Sequence, residues 1–286
     1  MFSVLKRLSR SVDFENIVYV ENVPISNNTA TTVTQEKSQP KVTVKSYFAE
    51  RGINIDTSRN KKTIAAIEEL AVFIANSFSD THYFIRFLRE RISNKKYDFL
   101  FQLSKSKPES KNKIIALAGK MYACGLLNRF RYDLDNEYIS GTVSSVPRCV
   151  NFITGGFLEI YARKIVKNTV CEEAKLRNCD SEIFSNVFIE KEGKRNELDV
   201  VFRVGDKVFW SEVKSGHFAP EDYYKLGIQM GVVPDRLILL AAERTASETK
   251  AISYFYEYYC ANIAQFESSL KKMIGGAFEE GTDCAA

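Results

Sequence analysis

The stretch from Asn196 to Gly216, NELDVVFRVGDKVFWSEVKSG, constrains the chain most. Two runs of β-branched and aromatic residues flank Gly205-Asp206. That dipeptide suits a two-residue hairpin loop, because glycine supplies positive φ at the first turn position. With this loop Val204 pairs with Lys207, and the register follows. Asp199 falls opposite Glu212, and Glu197 opposite Lys214. Side chains two residues apart share a face of a strand, so all four groups project to one side of one hairpin. Directly opposed Cβ atoms lie roughly 4.5–5.5 Å apart. Two carboxylates that close repel unless a cation stands between them. Their neighbours Val200, Val201, Phe202, Phe209, Trp210 and Val213 are too apolar for a surface ribbon.

A hard divalent ion takes oxygen ligands, and Mg²⁺ completes its shell with waters and phosphate oxygens. Lys214 then supplies a point charge beside the two acids. An acid on one strand followed by E-x-K on the next resembles the PD-(D/E)XK core of restriction endonucleases and junction resolvases. Leu198 stands where the motif's name has proline. The fuller wording, GGFLE at 155–159, NELDVVF at 196–202 and EVKSG at 212–216, resembles a narrower group. That group is the C-terminal nuclease domain of ancillary type III CRISPR effectors activated by cyclic oligoadenylates. The resemblance covers roughly residues 85–265.

The resemblance implies metal-dependent phosphodiester hydrolysis. Asp199 and Glu212 would hold one Mg²⁺ or Mn²⁺, joined by the backbone carbonyl of Val213. Lys214 would orient the attacking water and offset charge building on the phosphate. Glu159, on the first helix of the core, is either a further metal-site acid or a solvated helix glutamate. Glu197 either pairs with Lys214 or takes a metal role. Lys225 and Gln229 occupy the helix where such nucleases often carry auxiliary phosphate-binding groups.

The fold class expected is α/β, a restriction-endonuclease-like αβββαβ core with an N-terminal, α-rich, winged-helix-like domain. Residues 1–60 are poorly defined, with strand-like runs at Asn16–Val23 and Val42–Phe48 around a polar linker at 26–39. The helical domain spans 61–147. Apolar residues recur at helical spacing over 61–80 and 81–94. A short apolar helix is expected at Tyr97–Leu103 and a longer one from Ser110 to Gly125, then two strands around Asp135-Asn136. From Arg86 to Lys120 this region carries a net charge of +7. It is either a nucleic-acid surface, with Lys95, Lys96, Lys111 and Lys113 as candidates, or the solvated face of a dimerisation module.

The nuclease domain spans 148–270. Its expected elements are helices at 157–167 and 171–177, strand Asn186–Glu190, the hairpin, helix Glu221–Met230, buried strand Arg236–Ala242 and helix Ser247–Leu270. The aromatic face of the last helix, with Tyr254, Phe255, Tyr258 and Tyr259, is expected to serve core or dimer contacts. A flexible tail is expected from 271 to 286.

No apolar run of ~18 residues is present, which argues against a membrane span. The basic start lacks the apolar core of a secretory signal. Six cysteines without C-x-x-C spacing fit free thiols in a reducing cytoplasm, with an organellar transit segment as the alternative location. The expected partners are a nucleic-acid substrate and a second copy of the chain. With no βαβ repeat or Gly-rich phosphate loop before the helical domain, activation by cyclic oligoadenylate is not expected. The rival reading is a nucleic-acid-binding or scaffold protein that keeps an inactive nuclease fold as a dimer platform.

Overall fold

A computed structural model describes residues 42–58 and 63–279. The strand expected at Asn16–Val23 and the linker at 26–39 lie outside the described residues. The described chain divides into two compact units, 63–161 and a second made of 42–58 with 162–279. The division falls after Tyr161, beyond the boundary expected at 147/148.

The second unit begins with α1 (Val44–Ala49), where a strand was expected. Thr43 decides this locally. Its hydroxyl accepts from the Ser46 amide at 3.0 Å, and the Ser46 hydroxyl accepts from the Thr43 amide at 2.9 Å. This reciprocal capping box starts a helix. β1 (Asn54–Asp56) follows.

The first unit opens with α2 (Ala65–Asn76) and α3 (Phe78–Ser93). Their apolar stripes, Ile67, Leu70 and Ile74, then Phe84, Ile85 and Leu88, are buried as the periodicity requires. Residues expected as a short helix form instead β2 (Asp98–Gln102). Phe99 and Phe101 alternate onto one face and meet Phe84 at 5.9 and 5.1 Å between ring centroids. A helix would have separated them. α4 (Pro108–Ala123), β3 (Leu127–Asp133) and β4 (Tyr138–Val143) complete an antiparallel sheet of order β2-β4-β3. Gly125, at φ 72, ends α4 in the left-handed region, as expected of a helix stop. After α5 (Pro147–Asn151) and a π-helical turn at Phe152–Gly156, α6 runs from Phe157 to Leu176. It is one helix where two were expected, because no breaker interrupts 168–171.

Beyond α6 stand β5 (Ser181–Lys191), β6 (Lys194–Val204), β7 (Lys207–Lys214), α7 (Pro220–Met230) and β8 (Leu237–Ala241). This is the α-β-β-β-α-β order of the restriction-endonuclease-like core expected from the sequence. The sheet order is β1-β5-β6-β7-β8-β9, antiparallel as far as β7 and parallel from β7 onward. The expected terminal helix breaks into α8 (Ala246–Tyr256), β9 (Tyr259–Ala261) and α9 (Phe266–Glu279). Glu257, at φ 57, ends α8 and turns the chain so that Tyr258 is buried and Cys260 pairs with Leu239. The aromatic run therefore splits, leaving Tyr254 and Phe255 exposed. α9 continues to Glu279 where a flexible tail was expected, because Met273, Ile274 and Ala277 bury one face. Among the described residues no helix is long and apolar enough to cross a membrane.

The core of this unit gathers Phe48, Leu198, Val201, Trp210, Leu237, Leu239 and Tyr258. Leu239 is fully buried in it and is the register partner of Glu212. Leu239→Ala is expected to lower unfolding free energy by about 2–5 kcal/mol, read from urea denaturation.

Candidate active site

Gly205, at φ 58, forms the turn, and Val204 pairs with Lys207 as the loop length requires. The ladder continues to Val200↔Ser211, so Asp199 and Glu212 occupy the next opposed position. There both neighbouring ladders are interrupted. β5 and β6 pair at Ser185↔Val200 and Val187↔Leu198, with no partnership at 186/199, and Asn186 has φ 53. Leu198 and Val201 nevertheless share one apolar cluster. Residues three apart on one face of a strand require a break in the alternation between them.

Side chains replace the missing ladder bonds. The Val213 amide donates to Asp199 Oδ2 at 2.8 Å. The Asp199 amide in turn donates to the Glu212 carboxylate. Each acid is thus held by the backbone of the other's strand. In an antiparallel pair with a two-residue loop, every second residue from Lys207 turns its amide and carbonyl toward the partner. Val213 is such a residue, so its carbonyl faces β6.

Glu212 is almost fully enclosed, its side chain 5% exposed. Lys214 Nζ lies 2.8 Å from Glu212 Oε1, and Trp210 Nε1 donates to Oε2 at 3.2 Å. Burial pushes the Glu212 carboxyl above the usual range, against the pull of Lys214, the Asp199 amide and Trp210. Burial also works against the Lys214 ammonium. Glu212, with lesser help from Tyr223 and Asp199, outweighs it and holds the lysine pKa above its ordinary value.

The expected ion pair of Lys214 with Glu197 is therefore not the one formed. Glu197 is exposed, and its Oε1 lies 3.5 Å from Asn186 Nδ2. The break at Asp199 is the physical reason, since it ends the alternation that would have aligned Glu197 with Lys214. Lys225 is exposed and pairs with Glu221 at 2.7 Å. Gln229, near the end of α7, accepts from Lys191 Nζ through its backbone carbonyl at 3.0 Å. Glu159 lies in the first unit, exposed in the first turn of α6.

Two residues at the site carry no motif that marks them in the sequence. Trp210 binds Glu212 from the same strand, two positions away. Tyr223 of α7 lies under the lysine, its ring centroid 5.4 Å from Lys214 Nζ. Trp210 was foreseeable from the hairpin register, whereas no local signal brings α7 back over β7.

The chemistry of the donor set decides whether the implied metal fits. Among the described residues no three His, Cys, Asp or Glu side chains cluster as a metal site. Asp199 and Glu212 nevertheless bring hard oxygen donors to one opposed position of the hairpin, and Val213, whose amide binds Asp199, adds a carbonyl next in sequence to Glu212. They suit Mg²⁺ or Mn²⁺, which need few protein ligands and keep several waters.

No family model matches the chain, and no curated protein matches it in sequence. Solved structures do match its fold. Can2 from Sulfobacillus thermosulfidooxidans, in complex with cyclic tetra-adenylate, aligns with a TM-score of 0.59 at 16% identity. The alignment covers 82% of this chain and 61% of that one. Protein VC1899 from Vibrio cholerae aligns with a TM-score of 0.56 at 15% identity, over 84% of this chain and 62% of its own. The chain thus spans about three fifths of the length of either. At these identities the likeness is one of fold, a distant relationship to the α/β architecture of these proteins.

Removing Lys214 leaves Glu212 buried without its cation, which raises the carboxyl pKa further. An acid whose folded pKa is raised destabilises the fold above its unfolded pKa, and less so where it is protonated. Lys214→Ala is therefore expected to cost about 1–3 kcal/mol at pH 8, discounted from the fully buried case because Lys214 is a third exposed. The cost should shrink at pH 5. Equal losses at both values in urea denaturation would contradict this account.

Proposed function

We propose that the chain is a metal-dependent nuclease that hydrolyses phosphodiester bonds in DNA, RNA or both, within bacterial defence or mobile-element biology. The observation that carries this reading is the Asp199–Glu212 pair. The two carboxylates are locked to each other's strands at an interruption of a buried sheet, with Lys214 bonded to one of them. A bound Mg²⁺ or Mn²⁺ would supply Lewis acidity and a water of lowered pKa.

The chain's own groups do the rest. Asp199, Glu212 and the Val213 carbonyl would hold the ion. The reciprocal backbone bonds fix both acids before any ligand arrives, so little reorganisation remains at the moment of reaction. Lys214 would orient the attacking water and offset charge on the phosphate.

The order α2, α3, β2, α4, β3, β4 supports a winged-helix module in the first unit, with its basic stretch as a nucleic-acid surface. Lys111 and Lys113 are engaged with Glu137 and Asp80, each at 2.6 Å. Lys95 and Lys96, exposed after α3, show no ion pair among the described residues and are the stronger candidates. The cyclic tetra-adenylate of Can2 is that protein's ligand, and we propose no activation by it here. Stimulation of cleavage on adding it would overturn that part.

The test is cleavage of single- and double-stranded DNA, single-stranded RNA and supercoiled plasmid with Mg²⁺, Mn²⁺ or EDTA. Metal-dependent cutting is expected, reduced about 100-fold or more in Asp199→Ala, Glu212→Ala and Lys214→Ala. Wild-type cutting by Glu212→Ala would rule the assignment out. Binding without cleavage on every substrate would favour the scaffold reading.

Replacing Lys95 and Lys96 by Glu should weaken nucleic-acid binding. It should also flatten the log–log salt dependence by roughly 0.7–0.9 for each phosphate no longer neutralised, as read by fluorescence anisotropy. An unchanged slope would assign the patch to solvent.

A further inference from the structure

One group at the candidate site has no part in the chemistry just described. Tyr223 is half-buried near the start of α7. Its ring lies 5.4 Å from Lys214 Nζ, and its hydroxyl accepts a hydrogen bond from the same ammonium. The ring is held on two sides, by Trp210 at 6.2 Å and Phe218 at 6.1 Å between centroids. Phe218 is covered in turn by the Arg244 guanidinium at 5.5 Å. The tyrosine is therefore a packed element, placed against one particular lysine.

That lysine stands where it obstructs the proposed ligand set. Its ammonium is bonded to Glu212 Oε1 at 2.8 Å, and a divalent ion sharing the same carboxylate would be repelled by it. For Glu212 to accept an ion, Lys214 must give up that bond. A lysine head on a flexible stem has three donors and several rotamers. Released into water, it would no longer serve the site. The face and hydroxyl of Tyr223 offer the other acceptor already beside it. An aromatic face attracts an ammonium, and the phenol oxygen takes one of its protons in a hydrogen bond.

We propose that Tyr223 is a positioning residue for Lys214. It holds the ammonium it already contacts when Glu212 is given over to a divalent cation, and so keeps the lysine beside the bound ion. The inference rests on the metal-dependent reading of Asp199 and Glu212. It adds a residue from outside the hairpin, and a step in which one buried carboxylate exchanges partners.

The test is Mn²⁺ binding to the full chain by titration calorimetry, without nucleic acid. Wild type is compared with Tyr223→Phe, Tyr223→Leu, Lys214→Met and the Tyr223→Leu/Lys214→Met double variant. Tyr223→Leu should weaken Mn²⁺ binding roughly three- to tenfold, the scale of one net hydrogen bond with its ring interaction. Tyr223→Phe, which keeps the ring, should fall between it and wild type. Lys214→Met should bind Mn²⁺ more tightly than wild type. In that background Tyr223→Leu should add nothing, because its effect runs through the lysine. Should Tyr223→Leu fail to fold, Tyr223→Phe in both backgrounds makes the same comparison. Equal affinity of wild type and the Tyr223 variants overturns the proposal, and so does a weakening that persists without Lys214. If wild type and Asp199→Ala give the same titration, the metal-site reading itself has failed, and the proposal falls with it.

Discussion

A carboxylate buried in the middle of a sheet is the constraint on which this structure turns. Glu212 sits on β7 between its hairpin partner β6 and the parallel strand β8, nearly closed off from water. A charge in that position is costly unless each oxygen is paired and hydrogen-bonded. Lys214 and Trp210 meet it from its own strand, and the Asp199 amide meets it across the hairpin. That amide is available because the backbone pairing of β6 is interrupted there. The interruption, the indole and the lysine are thus parts of one compensation, and a change in any of them leaves the buried charge less compensated.

The sheet's change of direction places this arrangement. β6 and β7 are antiparallel and need only a two-residue turn. β7 and β8 are parallel and require a crossover, which α7 supplies. The crossover leaves β7 at Lys214 and returns along α7, so the beginning of α7 stands over the end of the strand that carries the E-x-K sequence. Tyr223 reaches Lys214 for that reason. The site therefore combines groups fixed by a local hairpin with groups delivered by a long connection. Its two acids are the rigid part. The lysine, a third exposed and bonded to an acid it would have to release, is the part with a second position available to it.

Several elements were legible in the chain and others were not, and the difference follows the range of the deciding interaction. The hairpin register was legible because glycine's positive φ and a two-residue loop set it within a few residues. So was the buried strand β8, an unbroken apolar run. β2 reads as a helix in the sequence because five residues with alternating phenylalanines do not declare a period without the sheet beside them. The stretch 247–270 reads as a single helix because its apolar content suits a helix throughout. It is broken by Glu257 in a left-handed conformation and by pairing of β9 to β8. α1 carried a readable capping box at Thr43 and Ser46 that apolar patterning alone overlooked.

The sequence by itself determined which groups can meet across the hairpin. The turn at Gly205-Asp206 and the two-residue period place Asp199 opposite Glu212, and both are properties of adjacent residues. Only the tertiary structure decided what those groups do with one another. The interrupted pairing at Asp199 turned Glu197 away and gave Lys214 to Glu212. The crossover brought Tyr223 to the lysine. These outcomes depend on strands β5 and β8 and on helix α7, whose packing against the hairpin no period in the chain encodes. Long-range burial selected the partners of each charge, because the cost of an unpaired group arises only when the rest of the fold has closed around it.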